Sequence, residues 1–168
     1  MTDFGSAYAA GLAAHANAER NIQEIVSVFN TLAQQVKDAS GGVIVIERTM
    51  SVRTLSNRRS LMDLAAGIPA PTEKYDCLVA RRASSGPAKS SELCTYTLAP
   101  SGYPVSISYV DVSDEAHDKA SLERILEQLL RHPTTGKTLK LLLDARQSDT
   151  VEPKSQPDES SPAKPERP

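Results

Sequence analysis

From Ser6 to Ser40 the chain has no proline and many alanines, and its larger apolar residues fall at Ile22, Ile25, Phe29, Leu32 and Val36. These steps of 3, 4, 3 and 4 form a heptad seam, which predicts one long helix over about 6–40, with Val26 and Ala33 widening the seam. Continued upstream in the same phase, the seam lands on Tyr8, Gly11, His15 and Ala18. The first half of the helix is therefore rich in small residues, and either close packing against another helix or fraying is expected of it. Gly41-Gly42 supplies a left-handed stop.

The pattern then changes period. Val43 to Ile46 is apolar and β-branched throughout, which predicts a strand covered on both faces and continuing to about residue 54. Ser60 and Asp63 open a short helix over about 60–66, closed by Gly67 and Pro69. Three further strands are expected at about 75–82, 92–98 and 104–111. Tyr75, Cys77 and Val79 share one face of the first, while Val105, Ile107 and Tyr109 share one face of the last. The connections Ser84-Ser85-Gly86-Pro87 and Pro100-Ser101-Gly102 are turn chemistry, so the strands should form an antiparallel meander.

Ser113 followed by Asp114, Glu115 and Asp118 reads as a capped helix start, giving a helix over about 114–131 with Leu122, Ile125, Leu126, Leu129 and Leu130 buried. Pro133 ends it, and a last helix over about 135–146 carries Leu139, Leu142 and Leu143 inward. The order predicts an α+β fold: a long N-terminal helix, an antiparallel sheet of about four to five strands with a short inserted helix, and two C-terminal helices. One domain over 1–146 is expected, followed by a disordered charged tail over 147–168, where Val151 is the only sizeable apolar residue.

Charge sharpens this picture. The 168 residues hold 19 Lys and Arg against 21 Asp and Glu, and the tail alone accounts for the formal net charge of −2. Within the remainder, residues 1–47 carry −3, residues 48–89 carry +5 and residues 90–146 carry −2. Arg48, Arg53, Arg58, Arg59, Arg81 and Arg82 are the candidate anion- or nucleic-acid-binding residues, because guanidinium forks suit phosphates and carboxylates. The competing expectation, preferred here, is that they pair with acids of the flanking helices. A nucleic-acid binder ordinarily shows an overall excess of base and stacking aromatics, and this chain is poor in both.

Candidate chemistry is sparse. Gly136-Lys137-Thr138 resembles the end of a phosphate-binding loop, but Arg131 stands where that loop needs its first glycine, and a helix precedes it rather than a strand. The histidines, His15, His117 and His132, have no partners at metal-ligand spacing; His132 is placed to meet the last carbonyls of its helix. Cys77 and Cys94 fall on adjacent strands, opposite or offset by one pair, so either a thiol pair or two buried small hydrophobes is expected, the second being preferred. No catalytic residue, metal or cofactor is assigned. With no signal-like segment and no apolar run approaching the roughly 18 residues a spanning helix needs, the expectation is a cytoplasmic protein with reduced cysteines and no membrane partner.

The preferred reading is a non-enzymatic interaction or regulatory protein that uses the long helix and the sheet. Ile22, Ile25, Phe29, Leu32 and Val36 are its partner-binding residues, and the partner is another protein or a second copy, as in a homodimer. One alternative is an anion- or nucleic-acid-binding module built on residues 48–89. A second is an enzyme using Cys77, Cys94 and His117.

Overall fold

A computed structural model describes residues 3–55, 66, 69–85 and 90–144. The expected short helix at about 60–66, the Gly86-Pro87 part of one turn, Arg58, Arg59 and the tail at 147–168 lie outside these residues.

The first element, α1, spans Phe4–Ala39. It begins two residues earlier than its apolar pattern suggests because the Asp3 carboxylate accepts the backbone N–H groups of Gly5 and Ser6 at 3.0 and 3.1 Å. It stops where expected. Gly41 and Gly42 both adopt the left-handed region, at φ +62 and +80, and the Gly42 N–H turns back to the Lys37 carbonyl.

Five strands follow: β1 (Ile44–Thr54), β2 (Thr72–Arg82), β3 (Ser90–Ala99), β4 (Gly102–Tyr109) and β5 (Val112–Ala116). They form one antiparallel sheet in chain order, so β1 and β5 are its edges. Two helices, α2 (Lys119–Arg131) and α3 (Pro133–Asp144), complete the α+β layout.

Two expectations need correction. The acids Asp114 and Glu115 belong to β5, opposite Ile107 and Ser106, and not to the first turn of a helix capped by Ser113. The helix starts later, at Lys119, where Asp118 and Ser121 form a reciprocal capping box. The pairing of Val105 with a fully buried Ala116 outweighs the local preference of these acids for a helix N-terminus. Second, the Val43 to Ile46 run is not equally covered on its two faces: Ile44 and Ile46 are buried, whereas Val43 and Val45 are half-buried. Among the described residues the helices lie on one side of the sheet, so alternate residues of β1 face away from them.

On the covered side, Ile25, Phe29 and Leu32 of α1 meet Ile44, Ile46, Leu78, Tyr96, Val105 and Ile107 of the sheet and Leu122, Ile125, Leu126 and Leu129 of α2. The rings of Phe29 and Tyr96 lie 5.0 Å apart, tilted against each other. The predicted buried stripe of α2 is thus present, with Leu130 half-buried at its margin.

Where α1 leaves the sheet is set by one close approach. Gly102, at φ +90, opens β4, and a Cβ there would lie 2.7 Å from the Asn21 Cβ and 3.2 Å from the Ile22 nitrogen. Only glycine suits both the backbone conformation and the gap. Asn21 donates its side-chain amide to the Ser101 carbonyl at 2.9 Å, and the Tyr103 hydroxyl donates to Glu24 at 3.0 Å. These contacts clamp α1 to the β3–β4 turn, and the helix upstream of Asn21 projects past it.

Candidate functional site

The projecting half of α1 follows from a mismatch of lengths. Residues Phe4 to Asn21 would extend about 27 Å at 1.5 Å per residue, beyond the last sheet contact. From Asp3 to Asn17 every residue is exposed. Phe4, Tyr8 and Leu12, spaced four apart on one side of the helix, are 78%, 70% and 54% exposed. Between Phe4 and Ala18 there is no Asp, Glu, Lys or Arg, and seven of these fifteen residues are alanine. The first charge after this stretch, Glu19, pairs with His15 at 3.4 Å.

The predicted seam residues divide at the clamp. Ile25, Phe29 and Leu32 are buried in the chain's own core, Val36 packs against it, and Ile22, at the point of departure, is 38% exposed. A partner cannot reach the three central residues without opening the core. The accessible continuation of the same side is Phe4, Tyr8, Leu12 and Ile22. Phe4 lies on the heptad phase, one step upstream of Tyr8, and Leu12 lies off it; the spacing of four from Phe4 to Tyr8 to Leu12 was a sequence signal that could have marked them.

The four described arginines do not form one patch. Strand alternation places Arg53 and Arg81 on the sheet face opposite α1 and Arg48 and Arg82 on the face that α1 covers. Arg53 donates from Nε and Nη2 to the Glu73 carboxylate at 2.9 and 2.7 Å and lies over the Tyr75 ring. Arg81 forms a two-point pair with Glu47, its Nε donating at 2.9 Å. This pairing holds the Glu47 carboxyl below its ordinary range and the Arg81 guanidinium above its own. Arg48 stacks at 6.0 Å over Phe29. The acids that engage Arg53 and Arg81 therefore come from neighbouring strand positions, not from the flanking helices as expected.

Cys94 stands opposite Leu78, and Cys77 opposite Thr95. Adjacent residues of a strand point to opposite faces, so Cys94 faces the core under α1 and Cys77 the opposite side of the sheet; they are offset, and they diverge. Burial pushes the Cys94 thiol up to about 12, and burial beside Glu92 and Asp76 raises that of Cys77, so neither is disposed to ionise. His117 is exposed at the end of β5. Among the described residues, no three His, Cys, Asp or Glu side chains are grouped to hold a metal ion.

Gly136-Lys137-Thr138 lies in the first turns of α3, where the Gly136 N–H donates to the His132 carbonyl and the Thr138 hydroxyl to the Thr134 carbonyl. It is helix, not a phosphate-cradling loop. His132 turns away from the carbonyls of α2: its Nδ1 accepts the Thr134 N–H at 3.3 Å, capping α3, while its ring meets Tyr109 edge-on. A groove of about 700 Å³ runs between α1 and α2, floored by Val28, Leu32, Leu126 and Leu130. Among the described residues no helix is long and apolar enough to cross a membrane. Comparison with protein-family models, with curated proteins and with solved structures finds no match to this chain.

Proposed function

We propose that this chain is a non-enzymatic protein-binding module that presents the N-terminal half of α1 to an uncharged apolar groove on a partner protein. The observation that carries this is the stretch Phe4 to Asn17, without Asp, Glu, Lys or Arg, helical and left exposed by the chain's own fold. A helix facing water on all sides ordinarily carries charged residues around it, and an apolar helix is ordinarily covered. A helical segment of this length, without packing of its own, is marginal in water, and docking supplies the missing contacts. The absence of charge specifies the partner's surface. A Lys or Glu buried against this helix would lose its water and gain no counter-ion. Alanine and glycine on the helix allow close backbone approach, while Phe4, Tyr8 and Leu12 provide the anchors.

The two unlinked, buried cysteines fit a reducing, cytoplasmic setting, which we include in the proposal. The anion-binding alternative has less support, because Arg53 and Arg81 are already engaged with carboxylates. The enzyme alternative has less still, since Cys77 and Cys94 diverge and both thiols are shifted away from ionisation.

A photo-crosslinking residue placed at Tyr8 in cells of the protein's source tests the proposal. We expect a discrete adduct with another protein from position 8 and none from Lys37, on the exposed far end of the same helix. Leu12→Glu should abolish the adduct while the purified variant keeps its helical circular dichroism. No adduct from position 8, or one indifferent to Leu12→Glu, would reject it.

A further inference from the structure

The long edge strand carries a second surface, independent of the projecting helix. β1 is eleven residues long and, among the described residues, is hydrogen-bonded on one side only, to β2. Open edges of this length are templates for pairing with another strand. The ladder with β2 has no register break, and at its two ends the Ala83 N–H donates to the Val43 carbonyl and the Leu55 N–H to the Pro71 carbonyl. Odd-numbered residues of β1 therefore direct their backbone groups to β2. The even-numbered ones, from Ile44 to Thr54, direct theirs to the open edge. Two of these, Met50 and Val52, also present large exposed apolar side chains, 62% and 56% accessible.

We infer that β1 pairs antiparallel with β1 of a second copy, about a two-fold axis through Met50, joining two five-stranded sheets into one. The charges of the strand select this register. An axis normal to the sheet keeps the helices of both copies on one side and lets only residues of equal parity face each other. An axis at Glu47, Arg48 or Arg53 would set each of these charges against itself, and an axis at Thr49 or Ser51 would pair no charge with its opposite. The axis at Met50 sets Glu47 opposite Arg53 twice, Thr49 opposite Ser51, and Arg48 opposite Val52.

The Glu47 and Arg53 pairs fall at non-hydrogen-bonded positions, where side chains approach most closely. Within one chain Arg53 already holds Glu73 and Glu47 already holds Arg81. The interface thus completes a row of alternating sign, Glu73, Arg53, then Glu47 and Arg81 of the second copy, and its symmetric twin. On the helix side the two Met50 side chains meet, and the Arg48 methylenes cover Val52.

Sedimentation equilibrium and cysteine crosslinking of the full chain test this. Wild type should reach a dimer mass as concentration rises. Met50→Cys should form a covalent dimer under mild oxidation, because a directly opposed pair lies about 5.5 Å apart between Cα atoms, within disulfide range. Val52→Cys should not, since the two copies of position 52 would be separated by about 13 Å along the ladder. Met50→Pro removes an N–H from the open edge and none from the β1–β2 ladder, so it should keep the native circular dichroism and raise the dimer dissociation constant at least about tenfold. A chain monomeric at all concentrations, equal crosslinking of the two cysteine variants, or a folded Met50→Pro variant with unchanged dissociation constant would each overturn the inference.

Discussion

At the residue scale the least expected feature is Val110, which turns β4 into β5 at φ +52, a conformation β-branched side chains avoid. Its side chain is exposed, so nothing in the packing compensates the strain. Val110→Asn or Val110→Gly should raise unfolding stability by about 1 kcal/mol in urea titration, with the fold unchanged. The same residue explains why β5 was not legible in the sequence. A hairpin is ordinarily announced by glycine or asparagine at its left-handed position, and valine gave no such signal. The seam residues were legible as apolar, and Ile25, Phe29 and Leu32 are buried. Their assignment to a partner was the step periodicity could not decide, because a helix covering its own sheet and a helix covering another protein share one pattern.

At the element scale the helices follow their caps. Asp3, Gly41-Gly42 and the Asp118–Ser121 box set three ends, and only the glycine stop was identified from pattern. Hydrogen bonds from the Ser121 N–H and hydroxyl hold the Asp118 carboxyl below its ordinary range. The sign follows. A carboxyl with a folded pKa below its unfolded one stabilises the fold above the ordinary carboxylate range and loses that contribution as pH falls toward the lowered value. Asp118→Asn keeps a capping oxygen but removes the titration, so its thermal midpoint should fall less than that of wild type between about pH 6 and about pH 3. An equal fall in both would show that the box does not contribute to acid sensitivity. The candidate site is also an element-scale feature: α1 is longer than the sheet it crosses. Helix length was legible in the sequence, but the point of departure at Gly102 and Asn21 was not, because it depends on residues 80 apart in the chain.

At the scale of the whole molecule, the described helices lie on one face of the sheet. This assigns Cys77 and Cys94 to opposite sides of the sheet, 0% and 2% exposed. Under non-denaturing oxidation they should form no intrachain disulfide, and thiol reagents should modify both only after unfolding. A Cys77–Cys94 link found by mass spectrometry of the folded, oxidised protein would contradict the register. The same one-sided arrangement splits the arginines between two faces, so a net charge of +5 along residues 48–89 does not become a single basic patch.

The sequence by itself determined the α+β class, the order of the long helix and the first four strands, the buried stripe of α2 and the glycine stop of α1, because periodicity and turn chemistry act between near neighbours. The tertiary structure alone decided which part of the apolar seam is already covered, which side each arginine and cysteine faces, and that Asp114 and Glu115 extend the sheet. Those outcomes depend on strand register and on which face of the sheet α1 and α2 cover, and a one-residue change of register would invert every side chain on the strand.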